Sequence, residues 1–193
     1  MSRTRYIAQA GVIAAVYAAL TLLTMQFLQG LAWGPIQLRV SEAFTVVAMF
    51  TPAAVPGLTI GSILANAFNP GALWPFSGLD VVLGSLGTLL GAVWMRRFRT
   101  RVPLALAGPV VTNALIVPAY LPTLLSAFGA DIADGFYTIP ILGVHLSGSW
   151  VAMYLFGVVA VALGQAIVIY VLGWPLLAAL KRSGLAGVIG TEG

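Results

Sequence analysis

Residues 81–111 read VVLGSLGTLLGAVWMRRFRTRVPLALAGPVV, which is an apolar run, a basic cluster and a second apolar run. The cluster consists of Arg96, Arg97, Arg99 and Arg101, and it holds almost half of the nine basic residues in the chain. Cytoplasmic loops of polytopic membrane proteins are enriched in Lys and Arg. The stretch therefore predicts two membrane passages that are joined on the cytoplasmic side.

The other basic residues extend this topology to both ends of the chain. Arg3 and Arg5 precede the first apolar run, and Lys181 and Arg182 follow the last one. The same rule places both termini in the cytoplasm. Arg39 stands alone between apolar runs, and we expect it at the outer face, where a ligand would arrive.

The composition predicts an integral membrane protein with a single membrane domain over residues 1–193. The chain is 60% hydrophobic and 7% charged, whereas soluble domains carry about a quarter charged residues. The basic residues flank apolar runs rather than forming a surface patch, so we expect no nucleic-acid partner. With no cysteine and one histidine, the sequence indicates no metal site and no cofactor.

The apolar runs leave room for about six passages of roughly 20 residues each. The predicted spans cover about 6–28, 40–51, 56–68, 80–95, 103–128 and 147–180. Pro52 and Pro56 interrupt the second and third spans, which are too short to cross as straight rods. Short, interrupted helices are typical of a binding site near the midplane. A simple kinked hairpin is the alternative.

Few polar residues lie inside the predicted spans, and these are the candidates for binding a ligand, because buried polar groups in a membrane protein pair, face the interior or mark a pathway. The candidates are Glu42, Asn66, Asp80, Asn113 and Gln165, with Arg39 at a helix start.

Each candidate also has a structural interpretation. Arg39 and Glu42, three residues apart, could form a local ion pair that caps the second helix. Asp80 could cap its own helix, and the three amides could hold helices together. Trp33 and Trp74 in the outer loops could anchor the membrane interface or stack on a planar heterocycle.

Small residues form a second pattern in the sequence. Ala10, Ala14 and Ala18 recur every fourth residue on the first span. Such a stripe lets another helix approach closely, and related glycine spacings follow at Gly57–Gly61 and Gly87–Gly91. The alanine stripe predicts either packing within the chain or contact with a separate membrane subunit.

The chain lacks the motifs of common enzymes. No G-x-x-x-x-G-K-[S/T] loop occurs, and Lys181 is the only lysine, so the chain cannot bind and hydrolyse ATP in the usual way. No G-x-S-x-G, H-E-x-x-H or C-x-x-C motif occurs either. We therefore expect that the chain is not an enzyme.

Several ordered sequence blocks resemble the QueT family, predicted substrate-binding (S) components of energy-coupling factor (ECF) transporters for queuosine precursors. The blocks are Arg39-Val-Ser-Glu42-Ala, Gly57-Leu-Thr-Ile-Gly61…Ala65-Asn66, Asp80-Val-Val-Leu-Gly84-Ser-Leu-Gly-Thr88-Leu, Pro109-x-x-x-Asn113-Ala-x-x-Val117 and Gly173-Trp-Pro-Leu. The chain departs from the pattern at Gly164-Gln165, where an acidic residue is expected.

The resemblance implies a six-helix S component in the bacterial plasma membrane. Such a component captures a micronutrient outside the cell and docks on a transmembrane coupling subunit that carries two ATPase subunits. A 7-deazaguanine-type precursor offers N–H donors and a carbonyl acceptor, which a buried carboxylate and an amide or guanidinium would match. The alternatives are an S component for another vitamin, a stand-alone proton-coupled transporter using Glu42 or Asp80, and a small membrane enzyme.

Overall fold

The structure, a computed structural model, describes residues 1–27, 38–68, 78–127, 150–184 and 187. Within these ranges the regular elements are helical, which confirms the predicted all-α class. The α-helices are α1 (Arg3–Phe27), α2 (Ala54–Ala67), α3 (Ser85–Arg97), α4 (Val102–Ala127), α5 (Trp150–Ala166) and α6 (Trp174–Arg182). A 3-10 helix covers Val40–Met49, and π-helical segments cover Asp80–Gly84 and Ile167–Gly173.

Three of the described helical stretches are long and apolar enough to cross a membrane. They are Arg3–Phe27, Val102–Tyr120 and the continuous stretch Trp150–Arg182, which contains α5, the second π-helical segment and α6. Val40–Met49 and Ala54–Ala67 are apolar but shorter. The structure thus agrees with an all-α membrane protein, and the predicted count of six passages stays a prediction.

A short turn joins the 3-10 helix to α2 at the predicted proline interruption. Thr51 shapes this turn, because its hydroxyl accepts the Ala53 N–H at 3.3 Å and donates to Gln9 Oε1 of α1 at 2.9 Å. Pro56 lies in the first turn of α2, where a helix needs no backbone donor. The break therefore lies at Pro52, and Pro56 helps to begin α2.

Helices α1 and α2 pack closely along a seam of small residues. A Cβ added to Gly61 would lie 2.7 Å from the Ala14 carbonyl oxygen, and one added to Gly57 would lie 2.8 Å from that of Ala10. Ala10, Ala14 and Ala18 are accordingly buried. In this conformation the stripe that was a candidate for binding a partner subunit is covered by the chain's own helix, which is the packing alternative.

The 3-10 helix lies in the centre of the described bundle. It packs against α1, α3, α6 and the second π-helical segment, and most of its residues are buried on all sides. Runs of 3-10 helix longer than three or four residues are uncommon because their hydrogen-bond geometry is poorer. This ten-residue run is therefore held by its surroundings, and it brings Arg39 and Glu42 into the interior.

Candidate functional site

Asp80 collects polar groups from several elements at the start of the first π-helical segment. Its Oδ1 atom accepts a hydrogen bond from the Tyr120 hydroxyl at 2.6 Å and lies 3.4 Å from Arg39 Nη2, in an ion pair. Its main-chain carbonyl accepts a bond from Asn66 Nδ2 at 2.9 Å. Asp80 thus connects the 3-10 helix, α2 and α4. Short π-helical segments are often found at functional sites.

Glu42 forms a second centre in the first turn of the 3-10 helix, with only 1% of its surface exposed. Its Oε1 atom accepts a hydrogen bond from the Tyr17 hydroxyl at 2.5 Å and a longer one from Thr88 Oγ1 at 3.4 Å. Thr88 Oγ1 also lies 3.3 Å from Ser62 Oγ. One carboxylate oxygen is therefore held by side chains of α1 and α3.

The ion pair of Arg39 differs from the local pair considered above. Arg39 precedes the 3-10 helix in an extended conformation, with φ −85° and ψ 95°. In the described part of the chain its guanidinium pairs with Asp80 instead of Glu42. The extended backbone takes Arg39 off the helix surface that three-residue spacing assumes. Arg39 still acts electrostatically on Glu42, so one cation serves both carboxylates.

The two centres meet along one face of α3 and the π-helical segment before it. A Cβ on Gly84 would lie 2.7 Å from Asp80 Oδ1, 3.1 Å from the Tyr120 hydroxyl and 3.2 Å from Asn66 Nδ2. A larger residue at this position would have to displace these groups. Thr88, which contacts Glu42, is one helical turn further along.

Asn113 of α4 joins the same group of residues. A Cβ on Gly87 would collide with Asn113 Oδ1, so the amide packs directly against the glycine of α3. The amide also lies near the Glu42 carboxylate. The structure thus brings together Arg39, Glu42, Asn66, Asp80 and Asn113, which we call the polar centre.

Five buried polar atoms of the predicted site residues have no hydrogen-bond partner among the described residues. They are Arg39 Nε, Glu42 Oε2, Asn66 Oδ1, Asn113 Nδ2 and Gln165 Oε1. Leaving a buried donor or acceptor unpaired costs about 1–3 kcal/mol, and such groups in a native protein are commonly satisfied by a bound water, ion or other molecule. The set contains donors as well as acceptors, so it can match the edge of a polar heterocycle.

The remaining predicted site residues lie elsewhere. Gln165 is buried on α5, and no described contact joins it to the polar centre. Trp33 and Trp74 fall outside the described residues. Their roles, like the binding roles of the polar centre, stay predictions.

The hydroxyl groups that bind the carboxylates, namely those of Tyr17, Tyr120 and Thr88, were not predicted from the sequence, nor was Ser62, which contacts Thr88. Tyrosine and threonine are ordinary residues in apolar helices, so neither gives a signal by itself. The one available signal was position, because Thr88 follows Gly84 by four residues and therefore shares its helix face.

Within the described residues the arrangement presents hydrogen-bonding side chains that face one another. No cluster of His, Cys, Asp or Glu that could hold a metal ion occurs within the described residues. The carboxylates face tyrosine and threonine hydroxyls and one guanidinium. Together, fold and site are those of an α-helical membrane protein with a buried polar centre.

Comparison with known proteins is consistent with this class. Residues 7–182 match the QueT transporter family, and the chain belongs to that family. Membership in a family of transporters confirms the prediction that the chain is not an enzyme. A similar protein is the queuosine precursor transporter QueT of Lactococcus lactis subsp. cremoris strain MG1363, which is 33% identical over 102 residues. The match covers 51% of this chain and 56% of the relative. No solved structure matches the chain.

Proposed function

We propose that the chain is the substrate-binding S component of an ECF-type importer. It captures a queuosine precursor of the 7-deazaguanine type outside the cell and delivers it through a shared or dedicated energising module. The observation that carries this proposal is the polar centre, with unpaired donors and acceptors inside a membrane protein that has no nucleotide-binding loop. The name of the L. lactis relative supports the class of substrate.

The proposed topology is a six-helix bundle in the bacterial plasma membrane, with both termini and the 96–101 cluster in the cytoplasm. A contact at the end of the 3-10 helix supports this orientation, since Arg96 Nη1 donates to the Met49 carbonyl at 3.2 Å. The 3-10 helix rises about 2 Å per residue, so its first residues lie well away from the basic loop. Arg39 and Glu42 are then on the outer side of the bundle.

The ligand would lie against the polar centre with its hydrogen-bonding edge toward Glu42, Asn66 and Arg39. A guanine-type edge presents adjacent N–H donors and a carbonyl acceptor. The unpaired Glu42 Oε2 and Asn66 Oδ1 atoms are acceptors, and Arg39 Nε is a donor. Trp33 or Trp74 would stack on the ring from the outer loops.

The proposed partners are a transmembrane coupling subunit and two ATPase subunits. Because Ala10, Ala14 and Ala18 pack on α2, a docking helix would meet the neighbouring face of α1, where Gly11, Ala15 and Ala19 are exposed. Small exposed residues permit close helix contact in a bilayer. Replacing Ala15 and Ala19 by leucine should abolish energised uptake and leave ligand binding intact. Unchanged uptake would reject this face.

Mass spectrometry of small molecules retained by the purified protein tests the proposed substrate, together with calorimetry using 7-deazaguanine. We expect a 7-deazaguanine derivative to be recovered and 7-deazaguanine to bind. Recovery of an unrelated vitamin, without affinity for 7-deazaguanine, would contradict the substrate.

Uptake into liposomes tests the mechanism. We expect uptake only when the energising module and ATP are present. A pH gradient that drives uptake by this chain alone would instead identify a proton-coupled transporter.

A further inference from the structure

The two buried carboxylates of the polar centre are bound differently. Asp80 Oδ1 is shared by Arg39 and Tyr120, and the Asp80 carbonyl holds the Asn66 amide. Glu42 accepts hydrogen bonds from Tyr17 and Thr88 through Oε1, its carboxylate lies near the Asn113 amide, and its buried Oε2 atom has no hydrogen-bond partner among the described residues. Each carboxylate receives one tyrosine hydroxyl, but only Asp80 is ion-paired with Arg39, whereas Glu42 keeps a buried Oε2 atom with no described partner.

We infer that the Glu42 carboxylate accepts hydrogen bonds from the N–H edge of the ligand. Asp80 is a positioning residue, which holds Arg39, Tyr120 and Asn66 in place around the ligand. This inference rests on the proposed function, because it assigns the contacts of that same site. It separates two acidic residues that sequence alone treats as equivalent.

The orientation of Asn66 supports this assignment. Its Nδ2 donates to the Asp80 carbonyl at 2.9 Å, which a carbonyl acceptor requires, so Oδ1 is the end of the amide that stays unpaired. Asp80 thereby directs an acceptor away from itself. Glu42 Oε2 and Asn66 Oδ1 are then two buried acceptors that are positioned by different contacts. Thr88 positions the Glu42 carboxylate, and the Asp80 carbonyl positions the Asn66 amide.

The spacing of the contacts that position Glu42 and Asn66 is compatible with a small ring between the two acceptors. Asn66 lies beside Gly84, and Glu42 contacts Thr88 four residues further along the same face. The Cβ positions of residues four apart on a helix lie about 5–6 Å from each other, so the two acceptors enter the polar centre beside successive turns. One such ring would reach both acceptors, and Arg39 Nε would supply a donor for a ligand carbonyl.

The role of Asp80 follows from what its loss would disturb. Without its charge, the Arg39 guanidinium would lose its ion-pair partner, and Tyr120 would lose its charged acceptor. Both effects change the shape and field of the whole centre. These effects do not depend on which hydrogen-bonding groups a ligand presents, so the loss of Asp80 should weaken the binding of different ligands alike.

The test compares two ligands and two matched protein variants. 7-Deazaguanine carries the ring N–H and the exocyclic amine on its edge, whereas 7-deazaadenine presents an acceptor at the ring position and lacks that amine. Affinities of the purified full-length chain for both are measured by calorimetry, with displacement for the weaker ligand. The measured quantity is the ratio of the two dissociation constants, which a merely structural change would leave unaltered.

Glu42→Gln should weaken binding of 7-deazaguanine about 10- to 100-fold, the size of one lost hydrogen bond to a charged group. Binding of 7-deazaadenine should not weaken, because the new amide can donate to its ring nitrogen. The ratio should therefore fall at least about tenfold. Asp80→Asn should weaken both ligands by a similar factor and leave the ratio within about threefold of its original value.

The tyrosines provide a second pair that keeps the side-chain size nearly constant. Tyr17→Phe should change the ratio, because the Glu42 carboxylate loses the hydroxyl that orients it. Tyr120→Phe should change both affinities together, because it acts through Asp80. The two tyrosine variants test the roles of Glu42 and Asp80 even if a charge-removing variant does not fold.

The outcomes separate this inference from the proposed function. If the unmodified chain binds neither ligand, the proposed substrate class is wrong and the inference falls with it. If the chain binds 7-deazaguanine but the ratio survives Glu42→Gln and Tyr17→Phe, only the assignment of Glu42 is overturned. A ratio that collapses in Asp80→Asn or Tyr120→Phe would transfer the reading role to Asp80.

Discussion

The α1–α2 seam lies next to the polar centre, but the two regions differ in backbone structure and in how their polar groups are satisfied. The seam consists of regular α-helix with glycine against alanine, and its backbones approach closely. The polar centre stands on a 3-10 helix and a π-helical segment and leaves buried polar atoms unpaired. Irregular backbone and unpaired polar groups both cost stability. Stability therefore resides in the seam, and the polar centre is where we propose that recognition takes place.

Tyr17 shows how the two regions are joined. It belongs to α1, where Gly61 faces its Cβ at the seam, and its hydroxyl donates to Glu42. The regular helix thus acts as a rigid support for a side chain that the irregular region needs. Sites supported by rigid elements hold their geometry better than sites on loops.

Gly61→Leu should have the largest effect, because it forces the seam apart. Even the Cβ would lie 2.7 Å from the Ala14 carbonyl oxygen, and this neighbour is backbone that cannot rotate away. Overpacking of a well-packed core costs about 1–3 kcal/mol and occasionally more, so we expect at least the upper end of that range. Thermal unfolding in detergent measures it.

Gly11→Leu is the matched control for the seam. Gly11 lies on the exposed face of α1, and a Cβ there meets nothing within 4 Å. We expect an unfolding temperature close to that of the unmodified chain. Equal losses in Gly11→Leu and Gly61→Leu would mean that the seam has no special role in stability.

Arg96→Met should have an intermediate effect at the end of the 3-10 helix. It removes the donor to the Met49 carbonyl, a charged hydrogen bond that partial exposure weakens, so we expect a loss of about 1 kcal/mol in unfolding free energy. Arg99 donates only at 3.5 Å in an exposed position, and Arg99→Met should cost less. A larger loss at Arg99 would contradict the proposed support of the 3-10 helix.

Gln165→Met should separate stability from recognition. The substitution keeps the side-chain length and removes the buried, unpaired Oε1 atom, so the unfolding free energy should stay equal or rise by up to about 1 kcal/mol. Affinity for 7-deazaguanine should fall severalfold if the amide faces the ligand. A marked loss of stability in denaturation experiments would show that the amide instead holds helices together.

Thr51→Val should have the smallest effect, at the turn that ties the irregular region to α1. The Thr51 hydroxyl donates to Gln9 Oε1, and hydrogen bonds between helices in membrane proteins contribute about 0.6 kcal/mol on average. Thr59 donates only to the Val55 carbonyl within its own helix, so Thr59→Val should cost less. The difference between the unfolding free energies of the two variants measures the contribution of the Thr51–Gln9 hydrogen bond.

The class of fold and the residues of the polar centre were predictable because polar residues are rare in this sequence. Glu42, Asp80, Asn66 and Asn113 stood out inside apolar runs, and the structure brings them together. Burial of a costly group implies a partner, and that argument needs no coordinates. The partners themselves were less accessible to sequence reasoning.

The pairing of Arg39 with Asp80 spans 41 residues, and only the tertiary packing creates it. The 3-10 and π-helical segments were also missed, because short, mostly apolar stretches buried on several sides show no clear period. The alanine stripe was recognised as a packing surface, but spacing alone cannot say whether the facing helix belongs to the same chain. The positions of Gly57 and Gly61 show that the facing helix is α2 of the same chain.

A crystal structure of the chain with bound 7-deazaguanine tests the central claim most directly. We predict that the ring occupies the polar centre, with an N–H group within hydrogen-bond distance of Glu42 Oε2 and the Arg39–Asp80 ion pair intact. A ligand bound elsewhere in the bundle, or a Glu42 side chain that faces lipid, would contradict the account.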